Sequence, residues 1–154
     1  MLDPPCLILT NATHTAIIRL TIPRSEIQRV MGPGVTELLA TLGAQGIEPA
    51  GPRFSHHLKM DPDTFDFEIG VPVIEPVIAT GRVQPGQLPA LRVARTVYHG
   101  PYERLGHAWS EFNAWIAANG HVPGQDLWEC YVAGPGSSFD PSSWLTELNR
   151  PLTD

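Results

Sequence analysis

The stretch Leu127-Trp-Glu-Cys-Tyr131 sets an acid among aromatic side chains. On a strand, side chains alternate between faces, so Glu129 and Tyr131 share one face and Trp128 and Cys130 the other. A carboxylate beside rings in a partly apolar groove attracts a delocalised cation, and loss of water strengthens the attraction. The bland alternative is a solvated glutamate at a sheet edge. Trp109 is the next candidate. It shares a helical stripe with Leu105 and Phe112, which is ordinarily core, yet it can expose a ring edge as a pocket wall. A cation over an aromatic face gains about 0.5–2 kcal/mol, so two or three such walls and one acid supply useful affinity. Tyr98 closes a strand that enters the Gly100-Pro101 turn and reads as a rim residue. His99 beside it reads as structural.

His56-His57 invites a metal reading. Adjacent strand residues point to opposite faces and do not share an ion, so no metal site is expected. Glu68 and Glu147 lie before Val-Pro-Val and Arg-Pro-Leu and read as structural acids. Catalytic carboxylate pairs need close approach, which spacing alone does not supply. No Ser–His–Asp order, phosphate loop or metal-ligand spacing stands out, and no cofactor is expected.

The elements that must position these residues follow from period and punctuation. Residues 1–13 read as a polar lead-in. Thr15 to Ile22 alternates and is β-branched, which predicts a strand ended by Pro23. Ser25 is placed as the N-cap of a short turn that Met31-Gly-Pro-Gly34 breaks. Helix resumes through Val35, Leu38, Leu39 and Leu42 and stops at Gly43 and Gly46. Strands are expected over 54–60 and 64–73, with a turn at Asp61-Pro-Asp63. Residues 74–87 are rich in Pro and Gly and read as an exposed crossing. A strand over 88–97, a helix over about 102–119 ended by Gly120, a strand over 127–133, a loop over 134–143 and a last strand over 144–148 complete the chain.

The halves echo each other. Ala44-Gln-Gly-Ile-Glu-Pro49 aligns with Ala118-Asn-Gly-His-Val-Pro123. Phe54 then falls on Trp128, Ser55 on Glu129 and His57 on Tyr131, which brings His57 into the candidate set. Further on, 67–73 falls on 146–152. The expectation is an α+β fold, one domain over 1–154 with an internal repeat of about 14–73 and 88–152. Two pseudo-symmetric βαββ modules would form an antiparallel sheet with two main helices packed on it and a ligand groove between the halves.

Composition narrows the function. The chain has 154 residues, 42% hydrophobic, with 10 Lys+Arg against 16 Asp+Glu and a formal net charge of −6. An acidic chain without a basic run is a poor nucleic-acid binder. No apolar run approaches the roughly 20 residues of a membrane span. The two cysteines, Cys6 and Cys130, are far apart and read as reduced thiols of a cytoplasmic protein. The N-terminus lacks a basic n-region and a signal-like apolar run. Monomer and homodimer both remain open, since an edge strand can extend a sheet across two chains.

Tyr98-His-Gly-Pro-Tyr102, the Trp-x-x-Phe-x-x-Trp-Ile helix ending in Gly120, Trp128-Glu-x-Tyr131 and Thr146-Glu-x-x-x-Pro-Leu152 together resemble the GyrI-like (gyrase-inhibitor-like) small-molecule-binding family. Ile22-Pro-Arg24, Ala44-Gln-Gly-Ile47, Pro49-Ala-Gly-Pro52 and 65–73 agree, so the resemblance covers about 14–152. The same domain serves as effector sensor in AraC- and MerR-type regulators. The stretch before residue 14 is too short for a helix-turn-helix, so the chain resembles the stand-alone form. The resemblance implies two βαββ modules around a ligand groove, and in it a glutamate that meets lipophilic cations in drug-sensing members. Some stand-alone members hydrolyse reactive cyclopropane-containing compounds.

The resulting expectation is a small-molecule-binding protein for a lipophilic, aromatic, cationic compound, acting in sensing or sequestration. Glu129 is the anchor, and Tyr131, Trp109, Tyr98 and His57 line the groove. The alternative is a hydrolase in which Glu129 positions or activates water and Tyr131 donates a proton or hydrogen bond. A third reading is a protein-interaction module such as a gyrase inhibitor.

Overall fold

The structure, a computed structural model, describes residues 1–135 and 139–153, and of Met60 its backbone. The chain divides into two compact units. One comprises Asn11–Ala90; the other joins residues 1–10 to the chain from Leu91 onward. Each carries one helix on antiparallel strands, which is the α+β class expected.

In the Asn11–Ala90 unit, β2 (Thr13–Pro23) leads through a short 3-10 turn into α1 (Ile27–Gln45). Then come β3 (Phe54–Met60), β4 (Thr64–Pro72) and β5 (Gln84–Leu88). The strand order is β3-β4-β2-β5. Alternation along β2 and β4 sends Ala16, Ile18, Phe67, Ile69 and Val71 to the face covered by Val35, Leu38 and Leu42 of α1. The expected break at Met31-Gly-Pro-Gly34 does not occur, for α1 runs through Pro33. Proline forfeits one helical hydrogen bond. Tertiary packing overrides that loss, since Val30 and Met31 pack on the same core as Val35. Gly34 permits the close approach: a Cβ there would lie 2.5 Å from Ile69 Cδ1. Ser25 lies inside the 3-10 turn and caps no helix.

The other unit holds β1 (Cys6–Leu9), β6 (Arg92–His99), α2 (Leu105–Ala118), β7 (Leu127–Ala133) and β8 (Leu145–Pro151). Its order is β1-β6-β8-β7. Ala108, Phe112 and Ile116 of α2, four residues apart, cover Ala94, Tyr98 and Leu148. Residues 1–13 are therefore more than a lead-in: Cys6–Leu9 pairs with Leu9 opposite Arg92 and Cys6 opposite Arg95. Likewise the supposed crossing over 74–87 contains most of β5, which pairs with β2. Leu88 ends β5, and β6 begins at Arg92 after Pro89. The last strand extends to Pro151 because it lies between β6 and β7 and pairs with both. Part of the expected loop over 134–143, residues 136–138, lies outside the described residues.

The strands of the two units share their register. Ser55 stands opposite Ile69 and His57 opposite Phe67; Glu129 stands opposite Leu148 and Tyr131 opposite Thr146. β3 and β7, the strands that follow the helices, then shift register at the same place, between His57 and Lys59 and between Tyr131 and Ala133. Both helices end on a left-handed glycine, Gly46 (φ 68°) and Gly120 (φ 76°), closed by Ile47 N–H to Leu42 O and His121 N–H to Ile116 O. Among the described residues no helix is long and apolar enough to cross a membrane.

Candidate functional site

Glu129 lies on β7 and is 7% exposed. Its two carboxyl oxygens accept from two aromatic donors. Trp109 Nε1–H donates to Oε2 at 2.5 Å, and Tyr131 Oη–H donates to Oε1 at 2.7 Å. Among the described residues no Lys, Arg or His forms an ion pair with it. Burial pushes its carboxyl above the ordinary glutamate range, and the Trp109 and Tyr131 hydrogen bonds oppose that shift. The group is thus a carboxyl shielded from water and held by neutral donors, with no counter-charge among the described residues.

Local sequence explains the arrangement. Period-two alternation sends Glu129 and Tyr131 to the face that α2 covers, just before the register shift that ends the alternation. Trp109 follows the buried Ala108 on α2, packs against the core with its ring 5.7 Å from Phe112, and keeps part of its surface exposed. Beyond Tyr131 the rings continue. Tyr102 meets Tyr131 edge-on at 5.8 Å and leans on Trp144 at 5.1 Å. Gly134 admits the Tyr102 hydroxyl, since a Cβ there would lie 2.5 Å from it.

Of the candidates read from sequence, Glu129, Tyr131, Trp109 and Tyr98 lie in one unit and His57 in the other. Glu129, Tyr131 and Trp109 come together. Tyr98 does not join them: it is buried, and its hydroxyl donates to Pro101 O at 2.8 Å. Gly100 at φ 143° allows this tight return over the phenol. Tyr98 instead borders a cleft of about 370 Å³ lined also by Leu2, His99, Arg104, His107 and Glu111. His57 lies in the other unit, buried, stacked 5.2 Å over Phe67 and edge-on to Phe65 at 4.9 Å. Its Nε2 is 3.2 Å from Ser55 Oγ. Burial first, then electrostatic interaction with His56 and Arg24, pushes its imidazole down to about 4.

The remaining polar groups have other partners. His56 lies 3.6 Å from Glu68, while Arg95 lies 3.4 Å from Glu147, so the two acids occupy separate pairs in separate units. His99 meets Asp3 at 2.8 Å. Burial pushes the Cys130 thiol up to about 12, which makes it a poor nucleophile. Among the described residues no cluster of three or more His, Cys, Asp or Glu could hold a metal. Tyr102, Trp144 and Thr146 were missed from sequence. Tyr102 had a signal, since it follows Gly100-Pro101 directly; Trp144, just before β8, and Thr146, on it, had none in their spacing.

A profile of the GyrI-like small-molecule-binding domain matches residues 11–152. No curated protein sequence matches the chain. Among solved structures, the EcmrR C-terminal domain is 19% identical, with 98% of each chain covered and a TM-score of 0.86. EcmrR also appears in a DNA complex with 20% identity and a TM-score of 0.85, where 98% of this chain spans 57% of that one. A hydrolase from Listeria innocua is 14% identical, with 97% and 91% covered and a TM-score of 0.66. SAV2435, solved bound to tetraphenylphosphonium, is 10% identical, with 98% and 94% covered and a TM-score of 0.66. With a family profile over nearly its whole length, two βαββ modules and a buried acid among rings in one of them, the chain belongs to the GyrI-like small-molecule-binding domain family.

Proposed function

We propose that the chain binds a lipophilic, aromatic cation through Glu129, in sensing or sequestration inside the cell. The observation that carries this reading is a carboxyl group 7% exposed that, among the described residues, is hydrogen-bonded only to aromatic donors and has no basic side chain to neutralise it. A buried charge without a counter-ion is costly, and a bound cation removes that cost. Low local dielectric strengthens the pair, and rings at the site add cation–π attraction. Because Glu129 is covered, the ligand reaches it by displacing the Trp109 or Tyr131 ring. SAV2435 offers a precedent, with its phosphonium ligand. In a tryptophan-fluorescence titration, tetraphenylphosphonium saturates the wild type and the neutral triphenylphosphine oxide binds far more weakly. Glu129→Gln erases the difference. Equal binding of both compounds by both proteins contradicts the reading.

Hydrolysis of a strained electrophile is the second reading. It rests on a carboxyl raised by burial and sharing a hydrogen bond with a phenol, a pairing suited to proton transfer. Glu129 would position or activate water and Tyr131 would donate to the leaving group. Incubation with a cyclopropane-containing electrophile separates the two: product lost in Glu129→Gln and Tyr131→Phe favours hydrolysis, and unchanged compound favours binding.

A further inference from the structure

We infer that Thr146 is a specificity-determining residue of the Glu129 site, and that the ligand carries a hydrogen-bonding oxygen or nitrogen beside its positive centre. The inference rests on the cation-binding reading above. Thr146 is wholly buried, and its hydroxyl has no hydrogen-bond partner. It stands opposite Tyr131 on one side and Tyr98 on the other. Directly opposed residues of antiparallel strands leave the same face, so the Thr146 hydroxyl rises from the face that bears Glu129. Both flanking phenols have already donated their protons, Tyr98 to Pro101 O and Tyr131 to Glu129.

An unmet buried hydroxyl destabilises a fold. Valine has nearly the same shape, suits a strand as well, and carries no such cost. Phenylalanine occupies the matching position of the other unit, Phe67, wholly buried in core. A threonine here is accounted for by a partner that arrives from outside. Thr15, whose buried hydroxyl is also unpaired, is a different case. Gly86 packs so closely on it that a Cβ there would lie 2.8 Å from Oγ1, which leaves no room for a ligand atom. Thr146 is flanked instead by Tyr131 and Tyr98 on the neighbouring strands. Glu129 and Thr146 occupy diagonal positions on adjacent strands, about 7–8 Å apart along the backbone. The ligand's positive centre and its polar atom are separated by a comparable or smaller distance.

The test uses two phosphonium cations that differ by one atom, (3-methoxypropyl)triphenylphosphonium and pentyltriphenylphosphonium, titrated into the full chain. Wild type binds the ether at least as tightly as the alkyl compound, although the ether is the more costly to desolvate. In Thr146→Val the ether weakens about tenfold relative to the alkyl compound. Thr146→Ser, which keeps the hydroxyl, retains the wild-type ratio. Without ligand, Thr146→Val melts at a higher temperature than wild type, because an unpaired hydroxyl is gone. An unchanged ratio in Thr146→Val, with alkyl binding still sensitive to Glu129→Gln, overturns this inference alone. So does a lower melting temperature, which would reveal a partner within the fold. Failure of wild type to bind either cation overturns the cation reading and this inference together.

Discussion

Ser55, His57 and Phe67 of one unit stand where Glu129, Tyr131 and Thr146 stand in the other. Above them on the helices, counted back from Gly46 and Gly120, Val35 matches Trp109. The first set makes a filled core. His57 stacks on Phe67, and its imidazole is held neutral by burial. The second set puts an acid in place of a serine, a phenol in place of an imidazole and a hydroxyl in place of a phenyl ring. One scaffold thus supports a closed aromatic floor and a polar one, with the large ring on the sheet in the first and on the helix in the second. Each floor keeps one unpaired buried polar atom, His57 Nδ1 and Thr146 Oγ1, but the second also holds an acid with no counter-ion among the described residues.

The comparison breaks most readily at Phe67. If its unit is the filled one, Phe67→Ala leaves a cavity and costs about 3–5 kcal/mol in denaturant unfolding, with little effect on cation affinity beyond lost folded protein. The pH dependence of stability comes next. His57 falls from 6.5 unfolded to about 4 folded, so the unfolded chain binds the extra proton between those values. Stability from His57 therefore rises between pH 4 and 6.5 and is lost as pH falls, by up to about 3 kcal/mol. Thermal melts of wild type and His57→Gln measure it as a stability difference that changes with pH across that window and is constant above it. Glu129 has the opposite sign. Its folded carboxyl lies above the ordinary range, so the folded chain holds the proton longer, and stability falls as pH rises through that window.

Glu129→Gln weakens tetraphenylphosphonium binding by about 2–3 kcal/mol, or roughly 30- to 150-fold, as expected when one partner of a desolvated charge pair is removed. The same variant raises the stability of the free protein at pH 7 by about 1 kcal/mol, since a buried charge is gone. Calorimetric melts and binding titrations on one preparation read both effects. The smallest effect is Thr146→Val, which raises free-protein stability by about 1 kcal/mol.

Much of this fold is legible in the residues. Gly46 and Gly120 fix two helix ends, and alternation places Glu129 and Tyr131 on one face. What was not legible depends on distant partners. Cys6–Leu9 has little local strand signal beyond its apolar run, and its partner β6 lies more than eighty residues away in sequence. Pro85 and Gly86 argue against a strand, yet β5 sits at the edge of its unit, where a missing N–H is tolerated. Pro33 reads as a helix break because local propensity cannot see Ile69 beneath Gly34. Around Glu129, the acid and Trp109 stand out by type. Tyr98 stands out equally, but its hydroxyl turns to the Pro101 carbonyl, a choice set by the Gly100 backbone. Thr146 is an ordinary strand residue until its register and its unpaired hydroxyl are known.

The central claim is that Glu129 is a buried acid awaiting a cation. Calorimetric titration of tetraphenylphosphonium in buffers of different ionisation heat tests it most directly, because binding a cation beside a raised carboxyl drives off its proton. The account predicts proton release on binding at mildly acidic pH, fading as pH rises and absent in Glu129→Gln. Saturable binding with no linked proton release at any pH, and equal affinity in Glu129→Gln, contradicts it.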